Sequence, residues 1–282
     1  MTHILALIDG SVYTHSVCDH AAWAARQYGG DIELLHVLST QKSGALPTDL
    51  SGAIGLGARS SLLDDLVEHD ARTAQLDKER GRALLDAAQQ RLESQGIGNV
   101  SLALRTGEIA DSLVKRAGDL IVMGKRGEGA DFEKLHLGSN LERVVRAVHR
   151  PVLIASRTFK PIQHAVFAFD DGVSARKALD SLVQSPLADR PRITVFSVAE
   201  AGSDIARGGI AAAARLIKAG YEAVAKERPG HAEKIIAEET ERDDADLLIM
   251  GAYGHSRIRS LIIGSTTTAL IRSCAIPLLL FR

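Results

Sequence analysis

The chain of 282 residues is 45% apolar and 24% charged with a formal net charge of −1, which suits one large or two ordinary buried cores and disfavours a nucleic-acid binder. Aromatics are only 4%, too few for stacking platforms on single strands, and the apolar runs fall short of the roughly 20 residues of a membrane span. Cys18 and Cys274 carry no metal or redox spacing, which suits a reducing cytosol, and MTHILALIDGS reads as a first strand rather than a leader.

Short aliphatic runs punctuate the first half: Ile4–Ile8, Ile32–Leu38, Val100–Leu104, Leu120–Met123 and Pro151–Ala155. Each is bounded by turn formers, as strands buried on both faces are. Helical patterns such as SVCDHAAWAARQYG and KERGRALLDAAQQRLESQG lie between them and close on glycine. Strand alternating with helix predicts a parallel, doubly wound α/β sheet.

The pattern then starts again. Ala165–Phe169, Ile193–Val198, Tyr221–Ala225, Leu247–Met250 and Pro277–Phe281 repeat the set in order. DLIVMG from Asp119 answers DLLIMG from Asp246, and RPVLIAS answers IPLLLFR. The break falls in SRTFKPIQH, giving a first domain over residues 1–158 and a second over 162–282. The copies differ in one place. Ser39–Asn99 separates the second and third strands of the first copy, against Ala199–Gly220 in the second. That insertion reads as a Gly/Ser-rich loop over Ser43–Ser61, then a charged helix to about Gly96. A loop of this length is either functional or an insertion resting on the domain. The third helix of the first copy is also expected to be the shorter.

In an open parallel sheet, ligands bind beyond the carboxyl ends of the strands, where the winding reverses. With strand order 3-2-1-4-5 the reversal lies between strands one and four. Strand one ends in Asp9-Gly10-Ser11 in the first copy and Asp170-Asp171-Gly172 in the second; strand four ends in Gly124 and Gly251. Bare glycines let backbone N–H groups approach a ligand, and Gly264-Ser265-Thr266 opens a helix whose amides favour an anion. An acid at the tip of strand one accepts from ribose hydroxyls, and Val37 and Val198 offer wall and backbone to a base. Glycine after a strand and serine at a helix start also occur without a ligand; Ser139 and Glu142 have the spacing of a capping box. Two or three charge-assisted bonds of roughly 1.5–3 kcal/mol each leave only weak binding after the cost of association, so base and ribose contacts are required as well.

Two arrays summarise the pattern: Gly251-x2-Gly254-x9-Gly264-Ser265-Thr266 and Gly124-x2-Gly127-x10-Gly138-Ser139-Asn140. With ALIDGS, LLHVL and the DLIVMG and DLLIMG segments, they resemble the universal stress protein family over nearly the whole chain, as a tandem member. The resemblance implies two Rossmann-like domains, each a five-stranded parallel sheet with helices on both faces. It also implies ATP or AMP binding, a property of one subgroup of that family, and pairing of the halves through their fifth strands; magnesium is an optional companion of the nucleotide. By that resemblance Asp9, Val37, Gly124, Gly127, Gly138, Ser139 and Asn140 would line one site. Asp170, Val198, Gly251, Gly254, Gly264, Ser265 and Thr266 would line the other. The spacing to SARKALD favours Asp170 over Asp171, and the regular spacer ranks the second site above the first.

No phosphate-loop lysine follows either array, so a fast NTPase is not written here; slow ATP hydrolysis stays open. His15, Cys18 and Asp19 share a helix face, a pattern that suits a core cysteine with a polar edge better than a metal site. His36 reads as a packed strand-end residue, and His255 and Arg257 as solvated loop residues near phosphate. The expected protein is cytoplasmic and stress-associated, using a bound adenine nucleotide to set loop and dimer geometry for partners. Two alternatives remain: an interaction module with empty pockets, and a slow ATPase. A homodimer beyond the intramolecular pair also stays open.

Overall fold

The computed structural model describes residues 2–39, 56–114, 116–125, 139–252 and 264–282, with side chains of the helices beginning at 56 and 139 described from Val67 and Asn140 onward. In the first half, β1 (His3–Leu7), α1 (Thr14–Tyr28), β2 (Asp31–Leu38), α2 (Leu56–Ser94) and β3 (Val100–Thr106) are followed by α3 (Ile109–Val114), β4 (Leu120–Gly124), α4 (Ser139–Ala147) and β5 (Val152–Ala155). The second half runs β6 (His164–Ala168), α5 (Val173–Gln184), β7 (Arg192–Ser197), α6 (Asp204–Lys218), β8 (Ala223–Glu227), α7 (Ala232–Arg242), β9 (Leu247–Gly251), α8 (Ser265–Ser273) and β10 (Leu278–Phe281). Each half has the order expected of it, and the two merge into one sheet, β3-β2-β1-β4-β5-β10-β9-β6-β7-β8. Pairing is parallel within each half, whereas β5 and β10 meet antiparallel through Leu278↔Ile154, Leu279↔Leu153 and Leu280↔Val152. Both fifth strands are fully buried, so each needs a neighbour on either side, and each half supplies the other's.

Neighbouring residues of a strand serve opposite faces, so Ile4 packs with Val17, Leu85, Ala175 and Ala212 beneath α1, α2, α5 and α6. Leu5 packs on the other face with Leu113, Leu141, Ile236 and Leu270 of α3, α4, α7 and α8. The continuous face is pinned across the junction: Gln27 Nε2 donates to Asp189 Oδ2 at 2.5 Å, and Asp189 N donates to Gln27 Oε1 at 3.0 Å. Nearby, Ser16 Oγ donates to the Ser156 carbonyl at 2.7 Å, and the buried His20 ring sits edge-on to Phe159 at 5.0 Å. Burial holds His20 below its ordinary pKa, against the Ser16 carbonyl and the Asp19 charge, which favour the protonated ring.

The insertion differs from expectation at its start. Helix α2 already begins at Leu56, so the tail of the expected Ser43–Ser61 loop is helical, while residues 40–55 lie outside those described. The Leu/Ala/Arg content of that tail favours helix enough to absorb Gly57 and its two serines. Residues Val67 to Arg80 are all exposed, and the helix reaches the sheet at Gly81, where a Cβ would lie 2.8 Å from Leu104 and 2.9 Å from His36. Beyond it, Arg91 grips Asp19 through two bonds of 2.9 and 2.8 Å, joined by Gln95 at 2.6 Å. Burial alone would raise the Asp19 carboxyl, but these hydrogen bonds and the Arg91 charge hold it below the ordinary range. Helix α3, at 6 residues against 11 in α7, is the shorter third helix expected.

A second difference concerns β8, which starts at Ala223 rather than Tyr221. The Tyr221 N–H closes α6 onto the Leu216 carbonyl at 3.0 Å, and its buried hydroxyl accepts from Leu187 N at 2.7 Å. Tyr221 thus belongs to the helix exit. At the foot of the second half, Lys226 bridges both carboxylate oxygens of Asp243 at 2.7 Å and Glu239 at 3.2 Å, and Glu239 is only 1% exposed.

Candidate nucleotide site

Three strand tips and one helix start build the cavity of the second half. After β6 the chain turns through Asp170-Asp171-Gly172. The Asp170 carboxylate accepts from Gly172 N at 2.9 Å, while Asp171 adopts φ 59° and pairs with Arg176 through two bonds of 2.8 and 2.7 Å. The two acids thus differ in placement. Asp170 lines the cavity, and Asp171 is committed to α5.

Gly251 also lines it, for a reason different from the one expected. It is not among the positive-φ residues; instead a Cβ there would lie 2.8 Å from Ser174 Cβ and 3.2 Å from Ala175 N. The glycine is required by the close approach of α5. Gly264 begins α8 with φ −54°, and a Cβ there would meet nothing nearer than 3.5 Å. The start of α8 has no side-chain cap among the described residues; Thr267 Oγ1 instead anchors it to the Ala252 carbonyl at 3.2 Å. Among the described residues no side chain caps these first-turn amides, and amides so placed favour an anion.

The cavity, open on one side, has a volume of about 390 Å³ and divides by character. Asp170, Ser265, Thr266 and Thr267 supply a polar side, and Phe196, Val198, Ile236 and Met250 an apolar one. That amphipathic lining matches pockets which hold a small molecule by an apolar body and a few fixed polar groups. Of the second-site residues expected from sequence, Asp170, Val198, Gly251, Gly264, Ser265 and Thr266 converge here. Gly254, His255 and Arg257 lie outside the described residues. Sequence reasoning did not single out Phe196, Ile236 or the Gly230–Ala232 turn, which complete the wall. Gly230, at φ 143° before a helix, was the available signal for that turn.

In the first half, Asp9, Val37 and Gly124 arrive at the same edge of the sheet from β1, β2 and β4. Asp9 repeats the Asp170 turn, accepting from Ser11 N at 3.1 Å. Asn140 is exposed in the first turn of α4; Gly127, Gly138 and the Ser139 side chain are outside the described set. Glu142, the acid of the supposed capping box, is paired with Arg146 at 2.5 Å.

The other candidates resolve into structure. Cys18 is in the core with its thiol pushed up to about 12 by burial, His15 is exposed, and Asp19 is held by Arg91. Burial likewise raises the Cys274 thiol, so neither cysteine is a ready nucleophile. Among the described residues no group of three or more His, Cys, Asp or Glu is placed to hold a metal ion. His36 donates from Nδ1 to the Ile8 carbonyl at 2.7 Å, tying β2 to the tip of β1. No helix among the described residues is long and apolar enough to cross a membrane.

Comparison with known proteins agrees with the repeat. The model of the universal stress protein family matches residues 1–156 and again 161–282. A universal stress protein of Synechocystis sp. is 39% identical over 289 aligned positions, covering 100% of both chains. Another, from Methanocaldococcus jannaschii, is 28% identical over 157 positions, which cover 54% of this chain and 80% of the relative. Among solved structures, a universal stress protein from Archaeoglobus fulgidus superposes with a TM-score of 0.70 at 22% identity, covering 100% of this chain and 96% of the other.

Proposed function

Because the chain belongs to the universal stress protein family, we propose that it binds an adenine nucleotide, ATP or AMP, in the cavity of its second half. The observation that carries this reading is the convergence of Asp170, Val198, Gly251 and the uncapped start of α8 on one space of about 390 Å³. In the proposed pose the phosphates face the amides and hydroxyls of Ser265 and Thr266, where the helix dipole favours negative charge. The ribose hydroxyls donate to Asp170, and the base lies on the apolar side formed by Phe196, Val198, Ile236 and Met250. Magnesium accompanies the phosphates where ATP is the ligand.

The first half offers the corresponding set, Asp9, Val37, Gly124, Gly127, Gly138, Ser139 and Asn140, as a weaker site. Its longer spacer and the exposed Asn140 support that ranking. The protein acts in the cytoplasm as a stress-response module whose bound nucleotide sets the geometry presented to partners; turnover, if measured, is slow.

Titration calorimetry with ATP, AMP and adenosine tests the reading, with Asp170→Asn and Asp171→Asn as paired variants. Asp170→Asn weakens all three ligands and Asp171→Asn leaves them nearly unchanged. Absence of binding at millimolar nucleotide, in wild-type protein freed of copurified ligand, refutes it in favour of an interaction module.

A further inference from the structure

Each helix that faces a candidate site is held at its far end by a cation from the other half. Lys125 directly follows Gly124 at the tip of β4, and its ammonium donates to the Cys274 carbonyl and, at 3.2 Å, to that of Ile276. Those carbonyls lie just past the end of α8, the helix whose start carries Ser265 and Thr266. In the opposite direction, Arg282 follows β10 and donates to the Arg146 carbonyl and, at 3.5 Å, to that of Val148, at the end of α4. The second half has Ala252 where the first has Lys125, so the two contacts are not copies of one residue. They arise separately and do the same thing.

The final carbonyls of a helix hold its negative pole, and a cation there steadies the dipole from the end opposite a bound anion. Helix α8 has 9 residues, about 13 Å, a length at which its own hydrogen bonds fix its direction poorly. It also leaves through Cys274 in extended conformation (φ −68°, ψ 131°), without a left-handed glycine to satisfy its last carbonyls. The cross-junction lysine instead places its charge just beyond that end, on the Cys274 and Ile276 carbonyls.

We propose that Lys125 is a positioning residue for the second-half site and Arg282 its counterpart for α4, so that each site is completed across the β5–β10 junction. The proposal rests on α8 being the phosphate seat described above. It adds that the tip of β4 in the first half governs how well that seat is aimed.

The test uses the full chain with Lys125→Met, Lys125→Arg and Arg282→Met. Without ligand, amide hydrogen exchange in α8 should quicken in Lys125→Met, return toward wild type in Lys125→Arg, and leave α4 unchanged. Arg282→Met should do the reverse. With ligand, Lys125→Met should weaken ATP about three- to tenfold while adenosine, which lacks the phosphates, changes less than about twofold. Unchanged exchange in α8, or exchange rising equally through every core strand, overturns the positioning role. Equal losses for ATP and adenosine overturn its link to phosphate. If wild-type protein binds no nucleotide, the functional reading fails, and the exchange pattern alone still decides whether Lys125 aims α8.

Discussion

Replacing Gly251 by alanine separates what a site glycine does for the fold from what it does for a ligand. The added methyl would sit 2.8 Å from Ser174 Cβ, 3.2 Å from Ala175 N and 3.4 Å from the Ser174 carbonyl carbon. Two of those three atoms are backbone, so relief requires the first turn of α5 to retreat from β9. Overpacking of this kind costs about 1–3 kcal/mol. The retreat also drags the Asp170–Gly172 turn that leads into α5, so ATP affinity should fall along with stability. Gly264→Ala is the control. Its methyl would meet only Thr267 Oγ1 at 3.5 Å and the Ala252 carbonyl oxygen at 3.6 Å, both ordinary contacts. At φ −54° there is no backbone strain either, and exchanging glycine for alanine at a helix start costs less than about 1 kcal/mol. Urea unfolding and calorimetry on the two variants supply both numbers. Equal stability losses, or a Gly251→Ala protein as stable as wild type, would refute the packing argument.

Valine at Gly264 should cut ATP affinity more than valine at Gly138; equal losses by calorimetry would count against ranking the second site first. Lys226→Met takes the ammonium from Asp243 and leaves Glu239, which is 1% exposed, with only Arg242 at 3.7 Å among the described cations. It should destabilise the protein by about 2–3 kcal/mol in urea, somewhat less than a fully buried pair because the lysine is 35% exposed. Acid should weaken the fold in two stages. His20 is held below its ordinary value, so the unfolded chain binds a proton that the folded ring refuses, and stability declines as pH drops below about 6.5. Asp19 and Asp243 lie below the ordinary carboxylate range through Arg91 and Lys226. Their contribution is therefore present above about pH 4 and lost as pH falls through their folded values. Urea midpoints at pH 7.5 and 5.5 should differ less in His20→Gln than in wild type; an identical difference would sink the assignment.

Much of the fold was legible because it rests on local signals said twice. Continuous aliphatic runs, glycine helix exits and the repeated DLIVMG and DLLIMG segments fixed the strand set, the repeat and the edge of the sheet that carries the site. The roles of some landmarks were not legible, since they depend on partners far away in sequence. Asp119 accepts from His3 N at 2.8 Å, and Asp246 from Gln163 N at 3.0 Å and His164 N at 3.1 Å. These acids peg the start of the first strand in each half. Gly251 was singled out for its conformational freedom, whereas its structural need is the contact with Ser174, visible only once α5 is packed. Ile236 and Phe196 escaped notice because apolar wall residues look like any other core residue until a cavity opens beside them. The role of Lys125 was not legible either, since its carbonyl partners belong to the other repeat.

The antiparallel seam between β5 and β10 has a consequence for assembly. Each repeat already occupies the other's fifth-strand edge, so a further copy of the chain finds that docking position filled. Among the described residues, unpaired strand edges persist only at the two extremes, β3 and β8. Arg105 on one, and Glu227 on the other, put charge where a foreign strand would have to lie. Higher-order association, where it occurs, is thereby steered onto helical surfaces, and fusing two copies into one chain makes a concentration-dependent pairing permanent.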